Sequence, residues 1–253
     1  MAAGTPSRDP VGESTLELLD DFPAYAGFIW SRASALVDIR GRVLEMGCGI
    51  GTMTRLILGS PLVEAVDAVD LDPSYVSRVA REIGDPRVRA LQGSAEDFRP
   101  GEGIYDRVVS INVLEHVDDD RAALANFAAV LRPGGEALIL VPAHPCLFST
   151  LDEGLSHRRR YAAGGLAAVA RAAGLEPVSI VHFNPIGALG WWINGKVLRR
   201  PSLPAGQVAV YARLLIAVSS IIDRLNPLPV GISLIARLVK SSGPPLPSDG
   251  SHR

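Results

Sequence analysis

Lysine is nearly absent from this chain of 253 residues: Lys196 and Lys240 are the only two. Acids outnumber lysine and arginine by 27 to 25, for a formal net charge of −2. No basic field is available to hold a polyanion, which argues against a nucleic-acid partner. Arginine in place of lysine, with abundant alanine, fits a GC-rich bacterial coding sequence. Cysteine is as scarce. Cys48 and Cys146 form no CxxC pair, so neither a disulfide framework nor a cysteine-based zinc site is implied. No uninterrupted apolar run approaches the ~20 residues needed to cross a bilayer. The opening MAAGTPSRDP lacks the apolar core of a secretory signal. A cytoplasmic protein without an integral membrane segment is the expectation.

What is present is an alternation. Residues 14–38 read as helical, interrupted near Pro23, and form an N-terminal cap over 1–40. Apolar strands are expected at Arg42–Met46, VEAVDAVDLD, RVRALQG, YDRVVSIN and EALILVPA. Between them lie helical segments with the usual punctuation. PSYVSRVAREIG opens on Pro and ends on Gly, and DDDRAALANFAAVLRPGG has an acidic first turn and a Pro-Gly-Gly stop. Five strand–helix alternations argue for an α/β fold: a parallel sheet with helices on both faces over a core at 41–184.

In such sheets ligands sit at the carboxyl ends of the strands. RVLEMGCGIGTMT places three glycines in five positions at the end of the first strand. Glycine turns sharply and lets a ligand approach the backbone. The spacing is GxGxG, with Thr52 where a dinucleotide fingerprint needs its third glycine, and no lysine follows to make a P-loop. Asp70, Glu96, Asp97 and Asn112 fall at the same edge. Asp72, beside Pro73, reads as a helix N-cap.

These signatures resemble the class I S-adenosylmethionine-dependent methyltransferases over roughly residues 40–180. LEMGCGIGT resembles the family's first motif, VDLDP the acidic end of its second strand, and GSAEDF its adenine-binding turn. YDRVVSINVLEHVDD and LRPGGEALILVPA are similar to its fourth-strand and fifth-strand junctions. The resemblance implies a Rossmann-like seven-stranded sheet and S-adenosylmethionine as cofactor. It places Glu45, Gly47, Cys48 and Gly49 at the methionine end, and Asp70 at the ribose diol with Leu71 beside it. Ala95 and Glu96 fall at the adenine, Ile111 and Asn112 near the sulfonium. Ser94 stands where the family often carries Asp.

After the fifth strand, HPCLFSTLDEGLSHRRRY reads as a long irregular loop, AAGGLAAVARAAG as a helix and LEPVSIVHFN as a sixth strand. Residues 185–230 form an apolar, partly helical insertion. Tyr211, Leu214, Leu215, Val218, Ile221, Ile222 and Leu225 fall on one helical face there. That face either packs on the core or serves as a substrate lid or peripheral membrane contact. Trp191 or Trp192 would then stand near the substrate. GISLIARLVK at 231–240 is the last strand, and the Pro/Gly/Ser-rich 241–253 an unstructured tail. NVLEHV and the stretch from SHRRRY through FNPIGALGWWINGKVLRR to PVGISLIARLVK resemble a bacterial small-molecule methyltransferase subgroup.

Glu115, His116 and His157 stand out in NVLEHV and LSHRRRY. Three readings stay open: Glu115-His116 braces a loop; His116 or His157 is an acid–base catalyst, since histidine titrates near neutrality; or the trio holds a divalent ion. Asn112 replaces the first acid of the ExxEH motif found in some ion-dependent methyltransferases, and the expected site carries no metal. Arg158, Arg159 and Arg160 read as solvated surface or as a grip on an anionic substrate. The expected function is methyl transfer to a small, partly hydrophobic molecule. The alternative is a cofactor-binding protein of the same fold that catalyses a cyclisation or rearrangement. Oligomeric state is open.

Overall fold

The structure, a computed structural model, describes residues 23–210, 218–219, 221–222 and 229–240. A seven-stranded sheet organises them, with strand order β3-β2-β1-β4-β5-β7-β6. The strands are β1 (Gly41–Met46), β2 (Val63–Asp70), β3 (Val88–Gln92), β4 (Tyr105–Ile111), β5 (Leu131–Pro142), β6 (Leu175–Phe183) and β7 (Ser233–Lys240). The first five pair in parallel. β7 runs antiparallel to both of its neighbours, β5 and β6. The sheet is therefore mixed rather than wholly parallel. Strand order reverses between β1 and β4, where doubly wound sheets open their ligand crevice.

The helices are α1 (Pro23–Ala33), α2 (Thr52–Leu58), α3 (Pro73–Glu82), α4 (Asp120–Val130), α5 (Thr150–Gly154), α6 (Ala163–Ala172), α7 (Pro185–Trp191) and α8 (Ala205–Val210). Two apolar layers form on the two faces of the central strands. Leu44, Phe127, Ile139 and Leu166 belong to one, and Val43, Phe28, Ile57 and Leu138 to the other. Adjacent residues of one strand thus enter opposite layers, which is why these strands read as continuous apolar runs. Asp72 caps α3: its Oδ1 accepts from Ser74 N at 2.7 Å, with Pro73 in the first turn. Asp119 caps α4 in the same way through Ala122 N.

Four expectations shift. α1 runs Pro23–Ala33 and so ends five residues short of the expected helix end at 38, while residues 14–22 lie outside the described residues. α4 ends at Val130 because Leu131 joins the sheet opposite Tyr105, five residues before the expected strand start at Glu136. The segment after β5 is less irregular than expected. It contains a 3₁₀ turn at Pro145–Leu147, then α5 opened by a capping box between Ser149 and Asp152. In the insertion, Tyr211, Leu214, Leu215 and Leu225 lie outside the described residues. Val218, Ile221 and Ile222 are exposed, so the described part of that face does not pack on the core.

Candidate functional site

The site begins at the end of β1. The chain leaves Met46 through Gly47, Gly49 and Gly51, whose φ angles of +81°, +49° and +87° favour glycine. Gly47 N and Cys48 N both donate to Val69 O, at 2.8 and 3.0 Å. Gly49 N donates to Asp70 Oδ2 at 2.8 Å. The turn is thus stitched to the end of β2. A Cβ at Gly47 would run into the Val113 side chain, so the β4 loop closes over this turn.

Glu45 lies beneath the turn and is buried. Its Oε2 accepts from Thr54 Oγ1 at 2.6 Å, while Oε1 has no partner among the described residues. Burial pushes its carboxyl up to about 8. Asp70 Oδ1 also accepts from Asp72 N at 3.0 Å. Burial raises the Asp70 carboxyl above the ordinary carboxylate value despite these bonds. Leu71 is exposed at the strand end and Cys48 is buried. The Cys48 thiol is pushed upward by burial, with Glu45 and Asp70 adding to the shift.

Across the switch point, Ile111 ends β4. Asn112 takes a left-handed turn at φ +55° and donates its N–H to Leu140 O. Ala95 is buried and its carbonyl accepts from Asn126 Nδ2 at 2.9 Å. Glu96 Oε1 accepts from Asp118 N and Asp119 N, at 3.1 and 3.3 Å. It ties the β3 turn to the β4 loop. Asp97 accepts from Ser94 Oγ at 2.6 Å.

The arginine run is not a loose surface. Arg158 N donates to Glu115 O, Arg158 Nε to His116 O at 2.7 Å, and Arg159 Nη2 to Val117 O and Asp118 O. Arg159 also pairs with Asp120. Arg160 is buried, and its Nε donates to Asp152 Oδ1 at 2.7 Å. The run therefore clamps the β4 loop to the segment after β5, and Arg160 is committed to Asp152 rather than offered to a substrate anion.

That clamp brings Glu115, His116 and His157 together. One potential ligand atom of each lies within 4.8 Å of the others. The two imidazoles meet edge to face with centroids 4.9 Å apart. Glu115 is fully buried, and neither carboxylate oxygen has a partner among the described residues. Burial pushes its carboxyl up to about 8. The trio has the donor chemistry for a divalent ion. It equally has that of a proton relay.

Asp152 was not singled out by sequence reasoning. It is fully buried and accepts from His157 Nδ1 (3.0 Å), Arg160 Nε, Ser149 N (2.9 Å) and Trp191 Nε1 (3.1 Å). Burial opposes its ionisation, yet the hydrogen bonds from His157 and Arg160 and the charge of Arg160 outweigh it and hold the carboxyl below its ordinary range. The Trp191 ring lies against the Arg160 guanidinium, 4.7 Å from centroid to Cζ. The only local signal was the Ser149–Asp152 spacing, which reads as a helix cap; the pairing with Trp191 spans 39 positions. Trp192, by contrast, is exposed.

Residues 20–180 match the model of a methyltransferase domain family. The chain is 28% identical over 125 residues to an uncharacterized methyltransferase of Mycobacterium tuberculosis, covering 49% of this chain and 60% of that one. It is 35% identical over 114 residues to a ubiquinone biosynthesis O-methyltransferase of Xanthomonas oryzae, covering 42% and 45%. The match thus spans about half the length of these relatives. An S-adenosylmethionine-dependent methyltransferase from Mesorhizobium loti has a similar fold. Its TM-score is 0.62 at 15% identity, over 84% of this chain and 97% of that one.

Proposed function

We propose, from the premise that this chain belongs to the class I S-adenosylmethionine-dependent methyltransferases, that it methylates a small, partly hydrophobic acceptor, with His157 receiving the acceptor's proton. The family implies S-adenosylmethionine as the methyl donor, and the residues present fit that group. Glu45 Oε1 is a buried oxygen without a partner among the described residues, beneath a turn whose three glycines adopt left-handed φ. When bound, the donor supplies an electrophilic sulfonium methyl. Asp70, held by the Gly49 and Asp72 amides, offers its carboxylate to the ribose hydroxyls. Leu71 offers an apolar surface beside it, Ala95 and Glu96 bound the adenine end, and Ile111 and Asn112 bound the methyl end.

The observation that carries the proton role is the bond between Asp152 and His157. An ionised carboxylate only accepts, so His157 Nδ1 carries the hydrogen and Nε2 is left as the base. His116, edge-on to that ring, helps aim it at the acceptor. A phenol or enol oxygen uses such a base most directly. The Xanthomonas relative is an O-methyltransferase, which supports an oxygen acceptor. The apolar segment Pro185–Val197, anchored by Trp191, is read as the wall that selects the acceptor. Positioning a nucleophile ~3–3.5 Å from the methyl supplies much of the remaining rate.

The test is mass spectrometry of the purified protein with a panel of phenolic and enolic acceptors. A product one methyl heavier, formed one-to-one with S-adenosylhomocysteine, is expected. A rearranged or cyclised product without S-adenosylhomocysteine would overturn the reading.

A further inference from the structure

We propose that one face of α7 and the turn that follows it docks on the surface of an anionic lipid bilayer. α7 continues without a break into a π-helical turn over Trp192–Val197. One side of this segment is seated. Ala188, Asn194 and Gly195 are buried, Thr150 Oγ1 donates to Gly195 O and Arg200 O, and Trp191 is held by Asp152 and Arg160. The other side faces solvent. Leu189, Trp192, Ile193 and Val197 are 59%, 47%, 39% and 57% exposed. Lys196 between them is exposed as well, so the solvent side of the segment carries four large apolar side chains and one ammonium.

A seated helix that turns its large apolar side chains outward needs an occupant for them. Charge identifies it. From Pro177 to Ile222 the sequence contains no aspartate or glutamate, yet it carries Lys196, Arg199, Arg200 and Arg213. This acid-free stretch lies in a chain whose overall charge is negative. One of only two lysines falls among the exposed apolar side chains, where its stem can lie along the apolar surface and its ammonium reach a headgroup. Tryptophan between basic residues suits the same boundary. A second copy packed by twofold symmetry would set this acid-free, basic stretch against itself, like charge facing like, which disfavours that occupant. No helix among the described residues is long and apolar enough to cross a membrane, so the contact is peripheral. Trp191, next to Trp192, reaches the carboxylate that holds His157. The docking face is therefore continuous with the methyl-acceptor end of the site.

The experiment is co-sedimentation of the full chain with vesicles of phosphatidylcholine alone, or with about one-third phosphatidylglycerol. Binding to the anionic vesicles is expected, falling as salt is raised. Trp192→Ser/Ile193→Ser and Lys196→Glu/Arg199→Glu should each lower the partition coefficient at least about tenfold. S-adenosylmethionine affinity should not change, because none of these side chains belongs to the glycine turn or to Asp70 and its partners. The proposal fails if the wild type ignores anionic vesicles or if both variants bind as it does. It also fails if light scattering shows a dimer that Trp192→Ser/Ile193→Ser dissolves. No turnover is measured, so this result is independent of the proton role assigned to His157.

Discussion

His157 Nδ1 lies 3.0 Å from Asp152 Oδ1, and that same oxygen takes the Arg160 Nε bond at 2.7 Å. One buried carboxylate thus orients an imidazole and neutralises a guanidinium. Its second oxygen holds Trp191 and the start of α5. The segment after β5 is organised around this side chain, whereas the ends of β1 and β2 are organised around Asp70 and the glycine turn.

His157→Ala should lower kcat by ~10²–10⁴, the usual weight of general acid–base catalysis, with cofactor affinity nearly intact. His116→Ala should act in the same direction. Steady-state kinetics and calorimetry check both, and EDTA should leave wild-type activity unchanged. Full activity in both single variants and the double variant would leave positioning alone. Activity abolished by EDTA and restored by Mg²⁺ would turn Glu115, His116 and His157 into metal ligands.

Asp152→Asn should be strongly destabilising, because Arg160 would be left buried without its anion. Breaking a buried pair from one side costs ~3–5 kcal/mol. Urea unfolding checks this, and a loss under about 1 kcal/mol would remove Asp152 from its central place.

Asp70→Ala should weaken S-adenosylmethionine binding by ~1.5–3 kcal/mol, the range for a hydrogen bond to a charged group. Gly49→Val should do more damage, since its backbone is left-handed and its N–H holds Asp70. Calorimetry with unchanged affinity in Asp70→Ala would take Asp70 out of the site.

Glu45 predicts a proton linkage. Its folded value of about 8 lies above the ordinary 4.5, so the folded state holds a proton that the unfolded state releases. Its contribution to stability is full below pH 4.5 and is lost as pH rises through about 8. The melting temperature of the ligand-free protein should therefore fall from pH 5 to 8, less steeply in Glu45→Gln. An ammonium brought near Glu45 favours its ionised form, so S-adenosylmethionine binding near neutral pH should release a proton. Binding heats measured in buffers of different ionisation enthalpy would show it. Heats independent of buffer would contradict it.

Much of the sheet could be read from the sequence because its signals are local. The glycine turn, the Asp72 cap and the five apolar runs each lie within a few residues of the structure they specify. β7 was legible as a strand, but its antiparallel place between β5 and β6 depends on pairing across about a hundred positions, as Glu136 with Val239 shows. The site divides similarly. Gly47, Gly49 and Asp70 gather at one edge as the motif spacing implied. The arginine run reads as a charged surface because its partners, the carbonyls of 115–118 and the Asp152 carboxylate, come from packing rather than from neighbouring residues. Glu96 reads as a ligand for adenine, but the structure also gives it two backbone amides to hold.

The pairing of β6 with β7 has a consequence for how this scaffold can change. Phe183 and Ser233 are register partners, and Ile232 N donates to Asn184 O, so the two ends of the intervening segment leave the sheet side by side. Gly231 lies so close to Phe183 that a Cβ there would meet its backbone. The segment is a cassette on a closed stalk. Closure entropy grows only slowly with length, so the part of the segment beyond Arg200 can change in length at little entropic cost, whereas Trp191 and Gly195 are tied to the core through Asp152, Arg160 and Thr150. The glycine turn and Asp70, at the ends of β1 and β2, lie outside this stalk, so variation in the segment leaves that edge of the sheet unchanged.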